Sequence, residues 1–155
     1  MRIDEIKNGI VIDHIPAGRG ATLYDLLGLD NLDCPIAFIR NAPSSKMGKK
    51  DIIKIDADIT VSFDIIGYVA PSVTINIIKD GAICEKKSVE LPETLKNVIK
   101  CKNPRCITTT EQELDHIFKL TDREKGVYRC IYCETAATYG ERICKTFFVK
   151  KVLSS

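Results

Sequence analysis

Four of the chain's seven cysteines fall into two close pairs, Cys101-x4-Cys106 and Cys130-x2-Cys133, with 23 residues between the pairs. Each pair can present two thiolates from one tight turn, and a tetrahedral zinc ion takes four such ligands at about 2.3 Å. The spacing therefore predicts one structural Zn2+ held by Cys101, Cys106, Cys130 and Cys133. Closure by four protein ligands leaves no position for water or substrate, so this metal is expected to hold a fold together and not to catalyse. Two other readings are four clustered apolar cysteines and a redox Cys-x-x-Cys pair, although nothing nearby resembles the βαβ unit that carries the latter. Cys144 and His116 are spare candidate ligands in the same region, while Cys34 and Cys84, in strand-like contexts, read as small buried apolar residues.

The stretch carrying these ligands, residues 95–155, is too short to build much of a core, which explains its need for a metal staple. Residues 1–94 form a separate domain, with the boundary near Leu91-Pro92-Glu93. A content of 45% hydrophobic and 28% charged residues excludes wholesale disorder. No apolar run approaches the roughly 20 residues that span a bilayer, so no membrane helix is expected. Met1 to Lys7 alternates charged with apolar residues, unlike a secretory signal, and unbridged cysteine pairs fit a reducing cytoplasm.

Charge is divided unevenly. Residues 1–94 carry 11 Lys and Arg against 14 Asp and Glu, a formal −3, and residues 95–155 carry 12 against 7, a formal +5. That basic half, with Lys100, Lys102, Arg105 and Arg129 beside Tyr128 and Tyr132, admits a nucleic-acid-binding zinc ribbon as a competing reading. Four thiolates and one zinc ion together reduce the excess to about +3, so nucleic acid is not the expected partner.

The first 94 residues alternate strands with two helix candidates. Gly9 to Ile15 is β-branched and ends at Pro16, and Gly18-Arg19-Gly20 marks a turn. Thr22 is placed to N-cap a short helix whose Leu23, Leu26 and Leu27 recur at helical spacing. Pro35 to Arg40 and Asp51 to Asp56 read as strands around a long polar loop, residues 41–49. Val61, Ile65, Ile66 and Val69 share a helical face ending before Pro71. Val73 to Ile78 and Ala82 to Glu85 flank Asp80-Gly81, a two-residue hairpin signal. The order βαββαββ suits an α+β domain, a ferredoxin-like antiparallel sheet with both helices on one face, followed by a small all-β, rubredoxin-like zinc domain.

Asp13 and His14 interrupt an apolar strand, and Lys50, Lys54 and Lys86 stand on or beside other strands. A solvated sheet face explains such charges, because lysines are mostly exposed. A nucleotide site explains them too, with lysines on phosphates and an aspartate on ribose hydroxyls. No Walker or Gly-x-Gly-x-x-Gly fingerprint is present, and no arrangement of side chains reads as catalytic.

Three segments stand in register along the chain: Ile6-Lys7-x-Gly9-x-Val11-Ile12-Asp13-His14-Ile15-Pro16, Met47-Gly48-x-Lys50-Asp51-x-Ile53-Lys54-Ile55, and Leu91-Pro92-Glu93 ahead of the cysteine pairs. Together they resemble the aspartate carbamoyltransferase regulatory-chain family. The resemblance implies a non-catalytic subunit in pyrimidine biosynthesis, with an allosteric domain binding CTP and ATP and a zinc domain contacting the catalytic chain. It implies that Asp13, Lys54 and Lys86 contact ribose and phosphates, with His14 and Lys50 near the triphosphate. Ile6 and Ile12 would line the site, and Asn76, Ile78 and Ile83 would lie beside the base. It further implies regulatory-chain homodimers, three of which link two catalytic trimers.

Overall fold

A computed structural model describes residues 6–111, 113–137 and 149–151. The chain divides into two compact units, Met1–Glu90 with Thr146–Ser155, and Leu91–Lys145. Cys144 lies outside the described residues.

In the first unit the elements run β1 (Gly9–Pro16), α1 (Gly20–Leu26), β2 (Ile36–Ser44), β3 (Gly48–Ile55), β4 (Ile59–Val61), α2 (Phe63–Val69), β5 (Thr74–Lys79) and β6 (Ala82–Ser88). Five strands form one antiparallel sheet in the order β2-β3-β1-β5-β6. This is the ferredoxin-like path with β6 added at one edge. Strand alternation places Ile10 and Ile12, Ile53 and Ile55, and Ile75 on one buried face. Leu23 and Leu26 of α1 and Ile65, Ile66 and Val69 of α2 complete that core. The sheet's other face is left for Val11, Asp13, Lys50, Lys54, Thr74 and Asn76.

The second unit holds β7 (Thr94–Lys96), a single helical turn α3 (Ile107–Thr110), β8 (Ile117–Asp122), β9 (Val127–Cys130) and β10 (Ala136–Ala137). Its four strands pair in the order β10-β9-β8-β7. Leu95, Phe118 and Tyr128 are fully buried or nearly so, and the Tyr128 hydroxyl donates to the Pro92 carbonyl at 2.6 Å. The last described strand, β11 (Val149–Lys151), pairs antiparallel with β4 in the first unit.

Several local expectations are corrected. Thr22 does not cap α1; the helix starts at Gly20 with Arg19 at the N-cap position. A distant side chain does the capping work, since Asp51 Oδ2 accepts from Gly18 N and Gly20 N at 3.1 Å each. Most of the expected loop 41–49 is strand: β2 continues to Ser44 and β3 begins at Gly48. Pro43 is tolerated because β2 is an edge strand, and Ser44 Oγ accepts from Met47 N to tighten the turn. Val61 belongs to β4 and not to the following helix, which begins after Ser62, whose Oγ accepts from Ile65 N at 3.3 Å. Cys84 is exposed, not buried. It is the extra residue of a bulge, since Ile77 pairs with Glu85 and Ile78 with Ile83.

Candidate functional site

The four cysteines meet as the spacing predicts. Cys101 follows the buried pair Val98 and Ile99, Cys106 occupies the N-cap of α3, Cys130 ends β9, and Cys133 lies in the turn beyond. All four Sγ atoms lie within 4.8 Å of one another, with Cys101 to Cys133 at 3.5 Å and Cys106 to Cys130 at 3.7 Å. Sulfurs bound tetrahedrally to one ion at about 2.3 Å lie roughly 3.8 Å apart, so this donor set fits a metal. Supporting groups surround the sulfurs. Thr108 Oγ1 is 3.1 Å from Cys106 Sγ, and Thr135 Oγ1 is 3.1 Å from Cys133 Sγ. Backbone N–H groups of Cys133 and Tyr132 point at Cys130, and that of Asn103 at Cys101.

Ionisation of the sulfurs is uneven. Burial pushes the Cys101 thiol up to about 12, and neighbouring cysteines add to the effect. Burial likewise raises Cys130. At Cys133 burial opposes ionisation, but hydrogen bonds with the Thr135 hydroxyl and backbone outweigh it and hold the thiol at about 6. A cation at the centre removes the conflict among four crowded thiolates. His116 is not in the cluster; it lines an adjoining recess with Asn97, Lys100, Asp115 and the ligand Cys101, and its Nδ1 is buried without a hydrogen-bond partner. Exposed Ile107 opens α3 directly after Cys106, and exposed Ile131 and Tyr132 lie in the turn between Cys130 and Cys133.

The open face of the first sheet gathers most of the remaining candidates. Ala37, Lys54, Val11, Asn76 and Lys86 are successive cross-strand neighbours, so they form one row over β2, β3, β1, β5 and β6. On one side of this row lie Ile78 and its cross-strand partner Ile83; on the other lie Asp13 and Thr74. Gly9 to Asp13 covers about 14 Å at strand rise. Along that length the face changes from apolar, through two lysines, to the Asp13–Lys50 pair at 3.0 Å. Neither Lys54 nor Lys86 has a carboxylate partner among the described residues.

Asp13 and His14 owe their positions to a bulge in β1, where the pairing shifts between Ile12 and Ile15 and His14 takes φ 61°. A non-glycine residue in that conformation is strained. His14 Nδ1 and Asn76 Oδ1 are both buried without hydrogen-bond partners. Ile6 is buried just ahead of β1. Ile12 is the exception among the candidates, because alternation sends its side chain into the core on the helix-covered face, with no exposure. A recess of about 280 Å³ adjoins Ile78, lined also by Asn8, Gly9, Asp58, Ile59 and Lys79. Among residues not singled out from sequence, Thr74 joins this face, and Thr108 and Thr135 reach the sulfurs. A hydroxyl two residues after a ligand cysteine is a signal the sequence does contain.

Burial would raise the Asp13 pKa, but the Lys50 ammonium and the His14 backbone N–H overcome it and hold this carboxyl below 3.8. An acid whose folded pKa is depressed contributes stability above its unfolded pKa and loses it as pH falls through the folded value. The stability difference between the wild type and Asp13→Asn should therefore be level from about pH 7 to 5 and shrink below about pH 4. Urea titrations across that range check it.

Comparison with known proteins agrees with this division of the chain. Residues 1–90 match the family described as aspartate carbamoyltransferase regulatory chain, allosteric domain, and residues 93–143 match its metal binding domain. An aspartate carbamoyltransferase regulatory chain from Clostridium botulinum (strain Hall) is 49% identical over 141 residues, covering 91% of this chain and 97% of the relative. The Clostridium tetani protein of the same name is 49% identical over 135 residues, covering 86% and 94%. That of Bifidobacterium longum is 42% identical over 137 residues, covering 88% and 99%.

Proposed function

The chain belongs to the aspartate carbamoyltransferase regulatory-chain family, and from that premise we propose that its open sheet face binds CTP and ATP while its thiolate cluster holds one structural Zn2+. It is a regulatory chain and not the catalytic one, acting in pyrimidine biosynthesis through the enzyme it controls. Its partners in this reading are the catalytic chain and a second regulatory chain, in assemblies where regulatory dimers link catalytic trimers in the cytoplasm.

One observation carries the nucleotide reading: the graded face from Ile78 and Ile83, across Lys54, Asn76 and Lys86, to Asp13 and Lys50. The base rests against the two isoleucines, and the unpartnered Asn76 carbonyl accepts from an amino group. Such a group is present on both cytosine and adenine, which suits one site for two effectors. Phosphate oxygens draw Lys54, Lys86 and Lys50, and Asp13, released from Lys50, accepts from a ribose hydroxyl. His14 borders the triphosphate, Ile6 closes the site at the start of β1, and Ile12 supports it from the core. Two effectors competing for one site can drive opposite responses when they differ in preference between quaternary states.

In the second unit zinc supplies a closed, tetrahedral tie between the two cysteine turns. That tie fixes the segments bearing Ile107, Ile131 and Tyr132, whose exposed side chains support docking to the catalytic chain. Calorimetry of CTP with the zinc-loaded chain tests the nucleotide reading. Lys86→Ala is expected to raise the dissociation constant at least about tenfold, the loss of one charge-assisted contact. An unchanged constant, or no binding of CTP and ATP by the wild type at millimolar concentration, overturns it.

A further inference from the structure

Asp51 follows Lys50 on β3, so their side chains leave opposite faces of the sheet. Lys50 meets Asp13 on the open face, while Asp51 is 1% exposed beneath it. The Asp51 carboxylate accepts three backbone N–H groups: Gly18 and Gly20 at 3.1 Å on Oδ2, and Asn41 at 3.0 Å on Oδ1. Such bonds offset the burial of a carboxylate. The donors come from different places. Gly18 and Gly20 lead from β1 into α1, whereas Asn41 sits at the register shift of edge strand β2 with φ 55°. On its other side Asp51 pairs with Ile15, the first residue past the bulge that presents Asp13 and His14. Gly20 permits the close approach, since a Cβ there would lie 2.7 Å from Asp51 Oδ2.

We propose that Asp51 is a positioning residue that joins the nucleotide-binding face to the β2 edge, so that binding at Asp13 and Lys50 is felt at Asn41. This rests on the nucleotide reading above. Drawing Lys50 from Asp13 toward a phosphate shifts the β3 backbone at residues 50 and 51. The buried carboxylate carries that shift to the Asn41 N–H, which it holds in place of a ladder partner.

Hydrogen–deuterium exchange on the zinc-loaded full chain, with and without saturating CTP, tests the coupling. In the wild type CTP should slow exchange at least about threefold in residues 36–44 as well as in 50–54. In Asp51→Asn the amide oxygen keeps the two glycine donors and its N–H groups turn toward the Asn41 N–H, so the response at 50–54 should persist and that at 36–44 should vanish. A residue with a merely structural role would speed exchange with and without CTP alike, leaving the CTP-dependent ratio intact. Equal protection of 36–44 in both proteins, or none in either while 50–54 responds, overturns the proposal. Absence of any CTP response in the wild type overturns the nucleotide reading, and the proposal with it. Should Asp51→Asn fail to fold, Gly20→Ala crowds the same carboxylate without removing its charge. That variant should lose the 36–44 response too, and a full response overturns the proposal.

Discussion

Cys106→Ser is expected to abolish metal retention and unfold the second unit, while the first unit keeps its sheet. Metal analysis after dialysis against a chelator should find less than about 0.1 ion per chain, against about one for the wild type. Structural zinc supplies about 10–16 kcal/mol of apparent binding energy in small metal-dependent folds, which is as large as the whole stability of an ordinary domain. Sedimentation with catalytic trimers should then show no assembly.

The choice of Cys106 makes the result interpretable. Serine is a better N-cap than cysteine, so α3 itself gains from the change. The lost group is a thiolate in a cluster whose sulfurs lie within 4.8 Å, and a hydroxyl is a poor substitute as a ligand. Among the described residues, Leu95, Ile99, Phe118 and Tyr128 are the large side chains fully buried in the second unit, too few to compensate. A Cys106→Ser chain that retained one ion and assembled normally would show that the cluster is not the scaffold of the docking surface.

What could be read from sequence followed periodicity and spacing. The cysteine pairs, the Asp80-Gly81 hairpin and the helix over Ile65, Ile66 and Val69 each depend on neighbours a few residues apart, and each is found in place. The open face was only partly legible. Alternation assigns Lys50 and Lys54 to one side of β3, but whether their neighbours on β1 and β5 fall in the same row depends on pairing register, which local sequence does not specify. Bulges made this harder. Those at Asp13–His14, in β2 beside Asn41 and at Cys84 each shift the parity of a strand, so Cys84 turned outward against expectation. Asp51 was hidden for a different reason. A charged residue at a core position of β3 reads as an error of pattern until the N–H donors at Gly18, Gly20 and Asn41, from 10 to 33 residues away, are brought to it.

Lys54→Glu should weaken CTP binding at least about a hundredfold, the largest effect expected from any single change on the open face. Lys54 stands in the row with Val11, Asn76 and Lys86, without a carboxylate partner among the described residues, so its ammonium is available to phosphate. Replacement removes that attraction and adds repulsion between a carboxylate and a polyanion; loss of one buried charge contact alone amounts to about 2–5 kcal/mol. The fold should tolerate it, because Lys54 is on the face away from the core and Ile53 and Ile55 remain buried on the other side. Stability by urea titration should therefore change by less than about 1 kcal/mol, while calorimetric affinity falls. Raising the salt concentration should shrink the gap between wild type and variant, since screening weakens attraction in one and repulsion in the other. A variant that bound CTP as well as the wild type would move the phosphates away from this row, and with them the assignments of Lys86 and Asp13.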